Sequence, residues 1–125
     1  MIYLDTHILY DLGGNRVDFV SKEAQRLLNR DPDLRISPMV LLEMEYLREI
    51  GRHRRGGKDL VAILEKSHAL RVCDLSFKDV ALQAANESWT RDPFDRMIVA
   101  QARLAKAVFI TRDTHILANY NRALG

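Results

Sequence analysis

Cysteine is almost missing from this chain: Cys73 is the single one among 125 residues. No internal disulfide can form, and the usage suits a reducing compartment. Long apolar runs are missing too. The longest stretch free of Asp, Glu, Lys and Arg is Thr114–Asn121, eight residues, against the ~20 a membrane helix needs. Met1-Ile2-Tyr3-Leu4-Asp5 has no basic flank and meets an acid at once, unlike a signal peptide. No repeat or low-complexity tract is visible, and neither sign of charge dominates, with 19 basic against 17 acidic side chains and a net charge of +2. These absences exclude secreted, membrane-spanning, disulfide-stapled and zinc-finger classes and lead us to expect a cytoplasmic protein.

What is present describes a folded domain. Hydrophobic residues make up 47% and charged residues 29% of the chain, an ordinary globular balance. The length suits a single domain over residues 1–125. Arg supplies 14 of the 19 basic residues. Its planar fork grips phosphate in two places, which is mildly suggestive of nucleic acid; Arg is equally at home on a helix surface.

Strand and helix signals alternate. Ile2-Tyr3-Leu4 reads as a buried strand ending at Asp5. Ser21 suits the N-cap of a helix with Ala24, Leu27 and Leu28 on one face. Asp31-Pro32-Asp33 reads as a turn before a strand at Leu34–Ser37, and Pro38 suits the first position of a helix over Met39–Ile50. A loop bracketed by Gly51, Gly56 and Gly57 leads to a helix at Asp59–Ser67 and a strand at Leu70–Cys73. Ser76 starts a helix over Phe77–Ser88, with Asp79 placed as in a capping box. Asp92-Pro93 opens another helix to about Lys106, Ala107–Thr111 reads as a strand, and a short helix follows from Thr114. Tyr120–Gly125 is a poor strand candidate. Such alternation predicts an α/β sandwich built on a mainly parallel sheet covered on both faces.

In open α/β sheets ligands bind beyond the carboxyl ends of the strands. Asp5 and Asp113 leave two strands there, Glu43 lies in the second turn of the helix after another, and Asp95 lies in the first turn of the helix opened by Asp92-Pro93. Each alone has a structural alternative. Asp113 could cap a helix, Asp95 could complement a helix dipole, and Glu43 could face solvent. Asp5, at a strand end near the sheet centre, needs a partner or a metal. Together, four converging carboxylates repel one another unless a cation or protons intervene. Oxygen ligands without Cys or His suit Mg²⁺ or Mn²⁺. Such an ion lowers the pKa of a bound water and offsets charge building on a phosphate. The chemistry indicated is metal-assisted phosphodiester hydrolysis.

Four motifs in order carry a resemblance to a known family: Leu4-Asp5-Thr6-His7, Ser37 with Glu43 six residues on, Arg91-Asp92-Pro93-Phe94-Asp95-Arg96, and Thr111-Arg112-Asp113. Over essentially its whole length the chain resembles a PIN domain, the nuclease fold of VapC-type toxins in bacterial and archaeal toxin–antitoxin systems. The resemblance implies a three-layer sandwich and a Mg²⁺- or Mn²⁺-dependent endoribonuclease whose acidic quartet is Asp5, Glu43, Asp95 and Asp113. It implies that Thr6 and Thr111 steady the acids and that Arg96 and Arg112 hold a substrate phosphate. It also implies a cognate antitoxin and a homodimer. His7 stands where many members carry Asn, although a subgroup reads Asp-Thr-His as here. Asp92, three residues before Asp95, reads best as an N-cap.

Arg48, Arg52, Arg54, Arg55 and Lys58, with His53 among them, form the densest basic cluster. Arg52, Arg54 and Arg55 are candidates for lining an RNA path; a solvated loop is the plain alternative. Trp89 and Phe94 read as packing for a helix start, and Cys73 as a small core residue. Two other enzyme classes fail on single residues. A haloacid dehalogenase-type phosphotransferase needs a second Asp where His7 stands, and a response-regulator receiver needs a Lys after a late strand, where Arg112-Asp113 supplies none. The non-enzymatic alternative is a catalytically silent module of the same fold that binds RNA or protein. Intact acids at all four positions weigh against it.

Overall fold

Ile2, Tyr3 and Leu4 are each at most 1% exposed. Successive side chains of a strand point to opposite faces, so this strand is covered on both sides. The structure, a computed structural model, describes residues 1–31 and 33–125. The expected turn at Asp31-Pro32-Asp33 includes Pro32, which lies outside the described residues.

The elements run β1 (Ile2–Leu4), α1 (Thr6–Gly13), α2 (Lys22–Arg30), β2 (Leu34–Ile36), α3 (Pro38–Glu49), α4 (Gly57–His68), β3 (Arg71–Val72), α5 (Phe77–Ala84), α6 (Pro93–Leu104), β4 (Val108–Ile110), α7 (Thr114–Asn119) and β5 (Ala123–Leu124). The strands form one sheet in the order β3-β2-β1-β4-β5, every pair parallel. Helices flank the sheet as the α/β reading requires, giving a three-layer α/β sandwich. The chain winds outward from β1 to β3, then returns to lay β4 on the other side of β1, with Tyr3 opposite Phe109. The order therefore reverses between β1 and β4. A crevice opens at such a reversal, beyond the carboxyl ends of the two strands.

The core follows from the pattern. Leu9, Ile36, Val40, Met44, Val99, Phe109, Ile110 and Ile116 are fully buried around the sheet. Ser21, Ser37 and Ser76 cap α2, α3 and α5 by accepting backbone amides, and Pro38 occupies the first turn of α3. A smaller cluster of Val80, Ala84 and Ala100 joins α5 to α6. Trp89 packs against the main core, and its indole donates to Glu87 at 2.6 Å.

Two local expectations fail. Tyr120–Gly125 does contribute a strand: Phe109 and Thr111 donate their amides to the carbonyls of Arg122 and Leu124, both at 3.0 Å. That pairing is made by backbone atoms and anchored by Tyr120, whose hydroxyl lies 2.5 and 3.1 Å from the Ala107 and Ala102 carbonyls that accept from it. Side-chain propensity carries little of it. The helix over Phe77–Ser88 also stops early, at Ala84, because Glu87 turns inward to meet Trp89 and Arg103. In addition α1 forms directly after β1, a helix the apolar spacing did not single out.

Candidate metal centre

β1 ends at Leu4, and the next residue is both the end of a strand and the start of a helix. Asp5 caps α1, its Oδ1 accepting the Thr6 amide at 2.8 Å. Its Oδ2 accepts the hydroxyl of Thr111 at 2.6 Å. Thr111 follows β4, so this bond closes the gap between the two strands at the reversal. The same Thr111 oxygen accepts the amide of Asp113 at 3.0 Å. Asp113 in turn caps α7, accepting the amides of His115 and Ile116 at 2.8 and 3.3 Å. Thr6 donates its hydroxyl to Glu43. The two threonines thus each hold an acid across the sheet edge, Thr6 reaching α3 and Thr111 reaching β1.

α3 is held in place from below the site. Ser37, fully buried, donates to Gln101 Oε1 on α6 at 2.7 Å and accepts the Met39 amide at 3.2 Å. This contact fixes α3 against α6, the helices that carry Glu43 and Asp95. Asp92 caps α6 through Oδ1, accepting the amides of Phe94 and Asp95 at 2.8 and 3.2 Å.

The structure brings Asp5, Glu43, Asp95 and Asp113 to one edge, where their charges act on one another. Burial first, and then the carboxylates around it, push Glu43 up to about 7 even though the Thr6 hydroxyl favours its charged form. Asp95 is likewise raised to about 7, by burial and by Asp92, Asp5, Glu43 and Asp113. Burial also raises Asp5 above the ordinary carboxylate range, against the bonds from Thr111 and Thr6. Among the described residues no Lys or Arg forms an ion pair with any of these acids. Their negative charge is left to one another and to whatever enters the cleft.

Asp92 belongs to the site as well. One oxygen from each of Glu43, Asp92 and Asp95 lies within 4.8 Å of the others. The N-cap reading of Asp92 holds, and the cap bonds use Oδ1 alone. The spacing of Asp92 and Asp95 was the available signal, since residues three apart share a face of a helical turn. Hard carboxylate oxygens without a sulfur or imidazole ligand fit Mg²⁺ or Mn²⁺.

The basic candidates are placed less uniformly. Arg112 pairs with Asp11 at 2.7 Å and lies over the Phe19 ring, 5.2 Å from its centre. Arg96 gives Nε to the Thr90 carbonyl at 2.8 Å. Arg52, Arg54 and Arg55 are exposed in the loop after α3. That loop also holds His53, whose ring stacks on Tyr10 at 4.0 Å and meets His7 edge-on at 5.9 Å. Burial, with His7 beside it, keeps the His53 imidazole below its ordinary value.

The family model for the PIN domain matches residues 2–122. The chain belongs to the PIN domain family. Its fold is similar to solved structures that cover it entirely. One is a toxin–antitoxin complex from Klebsiella pneumoniae, 22% identical, with 97% of that chain covered and a TM-score of 0.66. Another is VapBC2 from Rickettsia felis bound to a promoter DNA fragment, 20% identical, 98% covered, TM-score 0.65. A third is VapC20 from Mycobacterium tuberculosis, a toxin that cleaves the sarcin–ricin loop, 21% identical, 100% covered, TM-score 0.63. Comparison with curated proteins by sequence gives no significant match. For this PIN domain, the acids that sequence reading placed at the sheet edge are also where the fold reverses. No helix among the described residues is long and apolar enough to cross a membrane.

Proposed function

We propose that this PIN domain is a Mg²⁺- or Mn²⁺-dependent endoribonuclease, the toxin of a type II toxin–antitoxin pair. One observation carries the reading: Glu43 and Asp95, both raised to about 7, converge with Asp5, Asp92 and Asp113, and among the described residues no Lys or Arg forms an ion pair with them. A catalytically silent module would gain stability by losing such a cluster, because each acid there is held against repulsion and burial.

Glu43, Asp92 and Asp95 would hold the metal, with Asp5 and Asp113 completing the acidic wall. A bound Mg²⁺ or Mn²⁺ would activate water and offset charge on the phosphate under attack. The protein's own part is placement. Thr111 and Thr6 fix Asp5 and Glu43 by hydrogen bonds that an oxygen of each acid accepts. Asp113 and Asp92 are fixed by the helices they cap. Preorganised acids of this kind lose little freedom when a substrate arrives. Water attacks phosphorus in line, and the 3′ oxygen leaves. Arg96, whose terminal nitrogens make no hydrogen bond among the described residues, and Arg112, on release from Asp11, would hold a phosphate. Arg52, Arg54 and Arg55 would line the strand's approach.

Two apolar surfaces suit protein partners. Leu42 and Tyr46 on the outer side of α3 and Ile50 at its C-cap, spaced four apart, are 55%, 49% and 49% exposed, and Phe94 joins Tyr46 with ring centres 5.9 Å apart. This stripe runs beside Glu43, where an antitoxin would both cover it and close the cleft. Phe77 and Leu82 on α5, 73% and 61% exposed, offer a face for a second copy.

Cleavage of a mixed RNA pool with and without Mn²⁺ tests the reading, with wild type, Asp5→Asn and Asp95→Asn purified in parallel. Metal-dependent cutting by wild type alone is expected. Equal cutting by all three, or no cutting together with no calorimetric binding of Mn²⁺, overturns it.

A further inference from the structure

The rim beside the acids holds a group of rings that hydrolysis does not use. His7 lies in the first turn of α1, two residues after Asp5, and is exposed. Tyr10 follows on the same face of the helix. His53 comes from the loop between α3 and α4 and stacks on Tyr10, with ring centres 4.0 Å apart and planes 15° apart. His7 meets His53 nearly at a right angle, 86° between planes, so no ring of the group stacks on His7.

The loop is built to hold this arrangement. Gly51 turns the chain out of α3 with φ of 80°. At the far end a Cβ on Gly57 would lie 3.0 Å from the Leu41 Cα, a tight approach that glycine eases where α4 starts against α3. Between these points the Arg54 amide donates to the Tyr10 hydroxyl at 3.5 Å. His53 itself is placed by its ring alone: Nδ1 is the one buried side-chain polar atom without a hydrogen-bond partner among the described residues. Packing does not explain an imidazole there. Leu or Phe would fill the space without stranding a polar atom.

Rings interleaved with Arg side chains beside a phosphodiester-cleaving centre match the needs of single-stranded nucleic acid. Aromatic faces take unstacked bases, and guanidinium groups follow the backbone. We propose that His7, His53 and Tyr10, with Arg52, Arg54 and Arg55 around them, form the seat for one unpaired base of the RNA strand next to the scissile phosphate. This rests on the ribonuclease reading and adds to it where the strand lies and which rings grip it. The base settles against His7, the exposed ring, while His53, itself stacked on Tyr10, supports His7 edge-on. The three arginines, free of ion pairs among the described residues, take the flanking phosphates.

The test uses a short single-stranded oligoribonucleotide carrying, at each position in turn, a fluorescent purine analogue that stacking quenches. It is titrated with the full chain bearing Asp95→Asn, so that the strand is not cut, in the presence of Mg²⁺. Quenching is expected at one position. His7→Ala and His53→Ala, each added to that background, should abolish the quenching and weaken binding about tenfold or more, in line with the removal of one base–aromatic stack. His7→Phe should restore quenching, which a merely structural His7 would not do. Circular dichroism on each variant confirms that it is folded. If wild-type rings quench no position, or if the alanine variants quench as before, the base seat is wrong. Weaker binding with unchanged quenching would assign the rim to phosphates alone and also overturn it. The nuclease reading fails separately, by absence of Mn²⁺-dependent cutting in the otherwise unaltered chain.

Discussion

Thr111 donates its hydroxyl to Asp5 at 2.6 Å, joining the residue after β4 to the residue after β1. The bond spans 106 positions of sequence and is buried. It binds the two strands at the point where the sheet reverses, and the same oxygen receives the Asp113 amide. One hydroxyl therefore sets two of the acids.

Removing that hydroxyl strands a buried carboxylate. Thr111→Val is expected to cost about 1–3 kcal/mol of stability and to reduce cleavage more than Thr111→Ser, which keeps the donor. Thermal melting and Mn²⁺-dependent RNA cleavage on the three proteins check this. Equal behaviour of Val and Ser would sink it.

The pH dependence of the metal-free protein has a definite sign. Glu43 and Asp95 bind protons more tightly folded than unfolded, since folding raises both to about 7. Stability is then present below their unfolded values, near 4, and is lost as pH rises through about 7. Both groups are only partly buried, so solvent screening trims the effect to about 1–2 kcal/mol. A chelated sample should melt higher at pH 5 than at pH 8. A flat or rising profile would contradict the shared origin of the two shifts.

Asp95→Asn should raise the melting temperature of the metal-free protein at pH 8, because it removes one charge from the cluster without breaking any hydrogen bond to that side chain. The same change should abolish stabilisation by Mn²⁺, worth about 2.7 kcal/mol in wild type at metal 100-fold above its dissociation constant. Differential scanning with and without Mn²⁺ reads both effects. A mutant that melts lower and still responds to metal would place the ion elsewhere.

Replacing Arg52, Arg54 and Arg55 together by Gln should flatten the salt dependence of RNA binding. Each arginine taken off a phosphate lowers the slope of log K against log salt by about 0.7 on a single strand, so a change of about 2 is expected. Binding at several salt concentrations measures it, and an unchanged slope would return the loop to solvent.

Outside the cleft, Glu87 is a structural charge. It is 2% exposed and bonds Arg103 at 2.6 Å and Trp89 at 2.6 Å. Burial works against its charge, but these donors win and hold it below the ordinary glutamate range. Glu87→Ala leaves the Trp89 indole without its acceptor and Arg103 without its acid, and should cost about 1–3 kcal/mol, visible as a lower melting temperature; a shift within experimental error would show the pair to be dispensable.

The central strands and the four acids were legible because burial leaves an unbroken apolar run at β1 and β4, apolar residues flank Arg35 in β2, and each acid lies close after a strand or a helix start. Asp92 was harder to read. Its role as a cap is written in the Asp-Pro pair, but that it also faces Glu43 depends on the packing of α6 against α3. Tyr120–Gly125 read as a poor strand candidate because backbone pairing, rather than side-chain preference, makes Ala123–Leu124 a strand. The stacking of His53 on Tyr10 was equally hidden, since the two rings lie far apart in sequence and only the return of the loop to α1 joins them.

The position of β1 in the middle of the sheet has a consequence for synthesis. β1 precedes both of its sheet neighbours in the chain, and β4 arrives only with residues 108–110. Pairings so distant along the chain form late. Asp5 cannot meet Thr111 until residue 111 has been made, so a chain interrupted before that point has no complete acidic cleft.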